Sequence, residues 1–108
     1  MITVQIFKHE NQYKGFSFDG HAGFAKKGKD IVCAAVSMLV INTYNSIEKF
    51  TEDSFSGEAS EDGGHLTMSF SDDNSDELRL LLDSMILGLE QVEKQYGSKY
   101  ISLQFKEV

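Results

Sequence analysis

Residues 13–50 read YKGFSFDGHAGFAKKGKDIVCAAVSMLVINTYNSIEKF, and the hydrophobic period changes once along them. Phe16 and Phe18 alternate around Ser17, the period of two that marks a half-buried strand, here from about Tyr13 to Asp19. Gly20 to Gly28 then holds three glycines and no period, which reads as an irregular loop. From Asp30 to about Phe50 the period is helical. Val32, Val36, Leu39, Ile47 and Phe50 fall on one side, and Val40 and Tyr44 widen the stripe. Asp30 is placed to cap this helix, since a carboxylate there accepts backbone N–H groups two or three residues on. The first turn is apolar nearly all round, which predicts a buried helix start.

The same two periods recur on either side. Ile2, Val4 and Ile6 alternate with Thr3 and Gln5 in a first strand. Phe55, Ala59, Leu66, Met68 and Phe70 flank Asp62-Gly63-Gly64, a hairpin signal in which glycine supplies the positive φ of the turn. A second helix is predicted from Asp76 to Tyr96, capped by Ser75 and stopped by Gly97. Its apolar stripe is Leu78, Leu81, Leu82, Met85, Leu89, Val92 and Tyr96, and Asp76 and Glu77 suit the positive end of its dipole. Ile101, Leu103 and Phe105 share one face of a last strand. The order is ββαββαβ, each strand with one apolar face. That predicts an α+β fold of two layers, a largely antiparallel sheet with two helices packed on one face. Residues 1–108 read as a single domain, and the order of strands within the sheet does not follow from the pattern.

Composition narrows the classes of function. The chain has 108 residues, 41% of them hydrophobic and 25% charged, as in ordinary globular proteins. Cys33 is the one cysteine, so no intramolecular disulfide forms. Met1 to Glu10 has neither the basic region nor the apolar run of a signal peptide. The apolar stretch Ile31 to Ile41 falls short of the ~20 residues of a membrane span, so no membrane partner and a cytoplasmic location are expected. The net charge is -7, which disfavours direct nucleic-acid binding and suits steering of a basic peptide or protein. His9, His21, His65 and Cys33 match no zinc spacing, so neither a metal nor another cofactor is expected. The acidic segments Glu58 to Asp62 and Ser71 to Glu77 read as solvated hairpin and cap residues, and Phe7 as a lone aromatic on a polar strand face.

The segment with chemistry in it is Gly20 to Ser37, GHAGFAKKGKDIVCAAVS. With Asp30 as cap, Cys33 sits in the first helical turn, where free N–H groups and the dipole favour a thiolate. His21 precedes it across the glycine loop and can fold back as the imidazole partner a thiolate nucleophile needs. Read from the residues alone, a second interpretation stands beside this one. A lone cysteine in an apolar helix is commonly a small core residue, and a histidine beside glycine is commonly only a loop residue. The spacing permits a Cys–His dyad without requiring one.

That run resembles the signature of the ribosomal-processing cysteine protease family Prp. The signature is a Gly-His-Ala-Gly-aromatic loop followed by Gly-x-Asp-Ile-Val-Cys-Ala-Ala-Val-Ser on a helix, and the match has no gap. The resemblance implies a homodimeric cysteine endopeptidase that removes the N-terminal extension of large-subunit ribosomal protein 27, cutting after paired aromatic residues. It places the catalytic pair on His21 and Cys33 and the loop aromatic on Phe24. Asp30 and Ser37 are supporting candidates, and Gly20, Gly23, Phe24 and Gly28 belong to a loop expected to gate a substrate groove and to lack order without substrate. The alternative from another class is a non-catalytic ribosome-associated module in which Cys33 and His21 only shape a peptide groove.

Overall fold

The structure, a computed structural model, describes residues 1–20, 27–61, 64–71 and 73–108, and of residues 27–30 the backbone alone. Its elements follow the expected order: β1 (Ile2–His9), β2 (Gln12–Asp19), α1 (Lys27–Phe50), β3 (Phe55–Ala59), β4 (His65–Phe70), α2 (Asp76–Tyr96) and β5 (Ile101–Glu107). The sheet order is β3-β4-β2-β1-β5. Every pair is antiparallel except β1 with β5, which run parallel because α2 carries the chain back across the sheet before β5. Both helices cover one face, as the one-sided apolar pattern predicted.

Registered rows explain the core. Leu66, Phe18, Val4 and Leu103 line up across β4, β2, β1 and β5, and Met68, Phe16, Ile6 and Phe105 form the next row. All but the two β5 residues are buried; Leu103 is half-buried against the core, and Phe105 stays 54% exposed on the edge strand. A bulge between Phe7 and Lys8 puts Tyr13, rather than Lys14, opposite Lys8. This extra residue turns Tyr13 onto the helix side, where its hydroxyl donates to Asp83 of α2 at 2.5 Å. The opposite face is polar, with Gln5 bonded to Gln104 at 3.3 Å and Ser17 to Gln5 at 3.4 Å.

The second helix begins and ends as its residues predict. Ser75 accepts from the Leu78 N–H at 3.0 Å, and Gly97 takes φ 95° while its N–H donates to the Glu93 carbonyl. Asp53, between α1 and β3, accepts from both the backbone N–H and the hydroxyl of Ser75. Buried Asn74 closes the same corner, accepting from Tyr13 N–H and donating to Tyr13 C=O, so its polar atoms are matched. Leu78, Leu82, Met85, Ile86 and Leu89 are buried, whereas Leu81 and Val92 are half-buried and Tyr96 lies at the solvent edge.

The first helix departs from expectation in three ways. It starts at Lys27, so Asp30 lies inside the helix rather than capping it, Gly28 is helical rather than in the loop, and Cys33 falls in the second turn. Nothing in Lys27-Gly28-Lys29 forbids helical backbone, and glycine there costs only about 1 kcal/mol. The start is also not buried all round: Val32, Val36, Val40 and Ile47 face the core, but Ile31, Met38 and Ile41 are 56%, 70% and 51% exposed. Phe50, expected in the stripe, is 66% exposed beyond the last core contact, and Thr43 is buried in its place, its hydroxyl bonded to the Leu39 carbonyl. Residues Ile31–Phe50 are long and apolar enough to pass a length-and-composition test for a membrane span, a longer run than Ile31 to Ile41 suggested. Here the inner side of that run lies on the sheet.

Candidate active site

The chain leaves β2 at Asp19 and Gly20, the end of the strand that leads into the candidate segment. Gly20 is buried, its N–H donating to the Gly64 carbonyl at 2.9 Å, so the exits of β2 and the β3–β4 hairpin are tied together. A Cβ at Gly20 would stand 3.1 Å from the Ile2 side chain and 3.3 Å from the Phe18 ring, so the close packing favours glycine. His21, Gly23 and Phe24, and with them the expected gating behaviour of the loop, lie outside the described residues, as do Asp62 and Gly63 of the hairpin turn and Asp72.

Cys33 is half-buried on α1, packed against the core cluster on one side. Its Sγ lies 4.0 Å from the Ser37 Oγ, one helical turn on, at the outer limit of a sulfur hydrogen bond. The first unpaired N–H groups of a helix belong to its first four residues, 27–30 here, a turn upstream of Cys33. They do not sit at the sulfur itself, as a first-turn cysteine would have had them.

Beside Ser37 the inner edge of α1 and the β3–β4 hairpin leave an apolar cleft of about 60 Å³. Phe18, Val40, Ile41, Ala59 and Leu66 line it together with the polar Ser37 and His65. The sequence weighed His65 only as a metal ligand and found no zinc spacing for it. The β2–β4 register instead pairs it with Asp19, and its Nδ1 lies 2.5 Å from the Asp19 Oδ1. A carboxylate only accepts, so the His65 Nδ1 donates in this pair. No local signal marks this pair, because it depends on which strands are neighbours. Among the described residues, no three His, Cys, Asp or Glu side chains gather as metal ligands would.

Residues 1–102 match the family model described as Cysteine protease Prp. The chain is 34% identical over 107 residues to the ribosomal processing cysteine protease Prp of Staphylococcus aureus, covering 98% of this chain and 100% of the relative. It is 33% identical over 101 residues to the protein of that name in Bacillus subtilis, covering 89% and 90%. Among solved structures, the Staphylococcus aureus protease with a covalently linked product peptide superposes with a TM-score of 0.86 at 34% identity, covering 98% of this chain and 100% of that one. The same protease with a substrate peptide gives 0.87 at 33% identity and the same coverage.

Proposed function

The chain belongs to the cysteine protease Prp family and is a cysteine peptidase, and from that premise we propose that it removes the N-terminal extension of large-subunit ribosomal protein 27, cutting after paired aromatic residues. The observation that carries the site is arithmetical. A cysteine protease needs a cysteine nucleophile, and this chain has one, Cys33. It stands half-buried on α1, packed against the core and one helical turn from Ser37, which lines the cleft. The names of the relatives, ribosomal processing proteases, favour this substrate and argue against the non-catalytic module.

In the mechanism, His21 takes the Cys33 proton and the sulfur adds to the scissile carbonyl. As the tetrahedral intermediate collapses, His21 gives the proton to the departing amine and the acyl group stays on sulfur as a thioester. Water, deprotonated by His21, then hydrolyses the thioester and restores the thiol. Ser37, whose hydroxyl lies 4.0 Å from Sγ, is the candidate for a supporting hydrogen bond to the sulfur, and Asp30 is the further orienting candidate. Gly20, Gly23 and Phe24 belong to the segment proposed to admit the peptide.

Residues 1–108 act as one domain in this reading, in the cytoplasm, and as a homodimer. Ile31, Ala34 and Met38 recur at helical spacing on the open side of α1 and are exposed, the surface a second copy would cover. Sedimentation equilibrium should give twice the chain mass, and Met38→Glu should shift it to monomer; a wild-type monomer at micromolar concentration would remove the dimer. The activity is tested by mass spectrometry of a peptide copying the extension. Wild type should cut after the aromatic pair, while Cys33→Ala and His21→Ala, both folded, should not. Cutting by folded Cys33→Ala would overturn the assignment.

A further inference from the structure

We propose that the outer edge of β5 is an interface between two copies of this chain, which add strand to strand, antiparallel about Gln104, and join their sheets into one. The inference goes beyond the peptidase reading and does not rest on it. The surface is also separate from the open side of α1, because β5 is the edge of the sheet opposite β3.

The backbone of that edge is unpaired on one side. β5 has β1 as its neighbour and no strand beyond it. The Tyr100 C=O accepts from the Ile2 N–H at 3.0 Å, and the Val108 N–H donates to the Lys8 C=O at 2.9 Å. Residues alternate along a strand in the side to which they turn N–H and C=O. Ser102, Gln104 and Lys106 therefore bond β1, while Ile101, Leu103, Phe105 and Glu107 turn their backbone groups outward, a template for another strand. The side chains are left open in the same place. Leu103 and Phe105 lie in register with Val4 and Ile6 on the helix side, yet one is half-buried and the other 54% exposed. Between Ile101 and Phe105 there is no charge, proline or bulge to guard the edge.

The strand is complementary to itself. An antiparallel pair that uses all of Ile101–Glu107 sets residue 101 against 107 and puts Gln104 on the two-fold axis. Outward-turned residues then face outward-turned residues, as the hydrogen-bond ladder requires. Leu103 stands opposite Phe105 of the second copy and Phe105 opposite its Leu103, so each covers the other's open side. Lys106 faces Ser102 and Glu107 faces Ile101, so no like charges meet. Stacked parallel in register, Lys106 would oppose Lys106 and Glu107 would oppose Glu107. β3 offers less: it has five residues, and Ser56, Gly57, Glu58 and Ala59 are exposed with no large apolar side chain among them. A contact between single edge strands is smaller than a standard interface, so it forms above the micromolar range.

The register is tested by cross-linking in the Cys33→Ala protein, in which an introduced cysteine is the only one. Gln104 faces itself in a non-hydrogen-bonded pair with Cα atoms about 4.5 Å apart, within disulfide reach. Gln104→Cys should link to itself on mild oxidation at hundreds of micromolar. Ser102→Cys and Lys106→Cys, each displaced from its own copy by roughly 13 Å, should each link at least tenfold more slowly. A mixture of those two proteins should link as fast as Gln104→Cys, because 102 faces 106. Phe105→Lys, at an exposed position, should slow the Gln104→Cys link by about tenfold or more. Sedimentation of Met38→Glu at the same concentrations should give more than one chain mass, and adding Phe105→Lys should lower it to one. Thermal melts confirm that each variant is folded. Linking no faster at 104 than at 102 or 106, or no effect of Phe105→Lys in folded protein, would overturn the interface.

Discussion

The two helices lie side by side on one sheet and follow different rules. α2 spreads charge along its outer side, with Asp76, Glu77, Asp83, Glu90 and Lys94 among its exposed residues, so its exposed Leu80 and Leu87 stand apart. Its apolar stripe, cap and stop agree with one another. Residues 31–47 of α1 hold no charged side chain at all, and Ile31, Ala34, Met38 and Ile41 face outward. A helix that leaves this much uncharged surface open is shaped by something outside its own core. The contrast teaches where to look: α2 is scaffold, and the proposed nucleophile, one wall of the cleft and the proposed dimer face are all on α1. Local rules break at functional sites and hold elsewhere.

The largest effect expected from this division separates activity from stability. Cys33→Ala should lower cleavage by about four orders of magnitude or more, since the attacking atom is gone. Its melting temperature should stay within a few degrees, because the side chain is small and half-buried. Leu82→Ala on α2 should do the reverse. Leu82 is 1% exposed, and truncation there costs about 2–5 kcal/mol, while cleavage per folded molecule at low temperature stays near wild type. Chemical denaturation and single-turnover assays on both variants check the pair. Loss of activity in folded Leu82→Ala would mean that α2 takes part in the site and would dissolve the distinction.

A smaller effect comes from the join between α2 and the sheet. Burial, then the hydrogen bond and charge of Asp83, raise the Tyr13 phenol well above its usual value. The neutral form is the one the fold holds. Below a pH of about 10 the phenol is protonated in both states and its contribution is fully present. Above that, the unfolded chain releases the proton while the folded chain keeps it, so stability falls as pH rises toward the folded value. Urea melts at successive pH values above 10 should show this slope, up to about 1.4 kcal/mol per pH unit from this group. Tyr13→Phe should lower stability at neutral pH and flatten the slope; an unchanged slope would show that other groups cause it.

How much could be read from the chain beforehand follows the same division. Ser75 and Gly97 bounded α2 to the residue, because caps are local chemistry. The alternation of Ile2, Val4 and Ile6 gave β1 and its buried face for the same reason. The strand order was not legible, since an apolar face does not say which neighbour it lies beside. With the order went everything that depends on register: the bulge that turns Tyr13 inward, and the Asp19–His65 pair. Along α1 the period marked Val32, Val36, Val40 and Ile47 but not the helix start, since glycine and lysine before Asp30 read as loop. Nor could it tell an apolar residue facing the core from one left open, which is why Ile31, in a first turn apolar nearly all round, read as buried and is exposed. Cys33 became more than a core cysteine through its motif, and its place beside Ser37 and a cleft adds geometry to that motif.

The smallest effect concerns the corner that fixes α2, where the two helices are connected. Ser75→Ala removes the acceptor of the Leu78 N–H and the donor to Asp53, yet the Ser75 backbone N–H still reaches Asp53 at 2.9 Å. The cost should therefore be that of an ordinary cap, about 1 kcal/mol, or about 4 °C in melting temperature for a domain of this size. Asp53→Ala removes both bonds to Ser75 but leaves the Ser75 hydroxyl free to cap, and should cost a similar amount. The double variant should cost less than the sum, because each single change already breaks the hydroxyl–carboxylate bond. Cleavage by folded protein should be unchanged in all three, since none of these groups touches α1 near Cys33. Additive losses would mean that Ser75 and Asp53 act separately, and that the start of α2 is held by its own cap without help from the segment that follows α1.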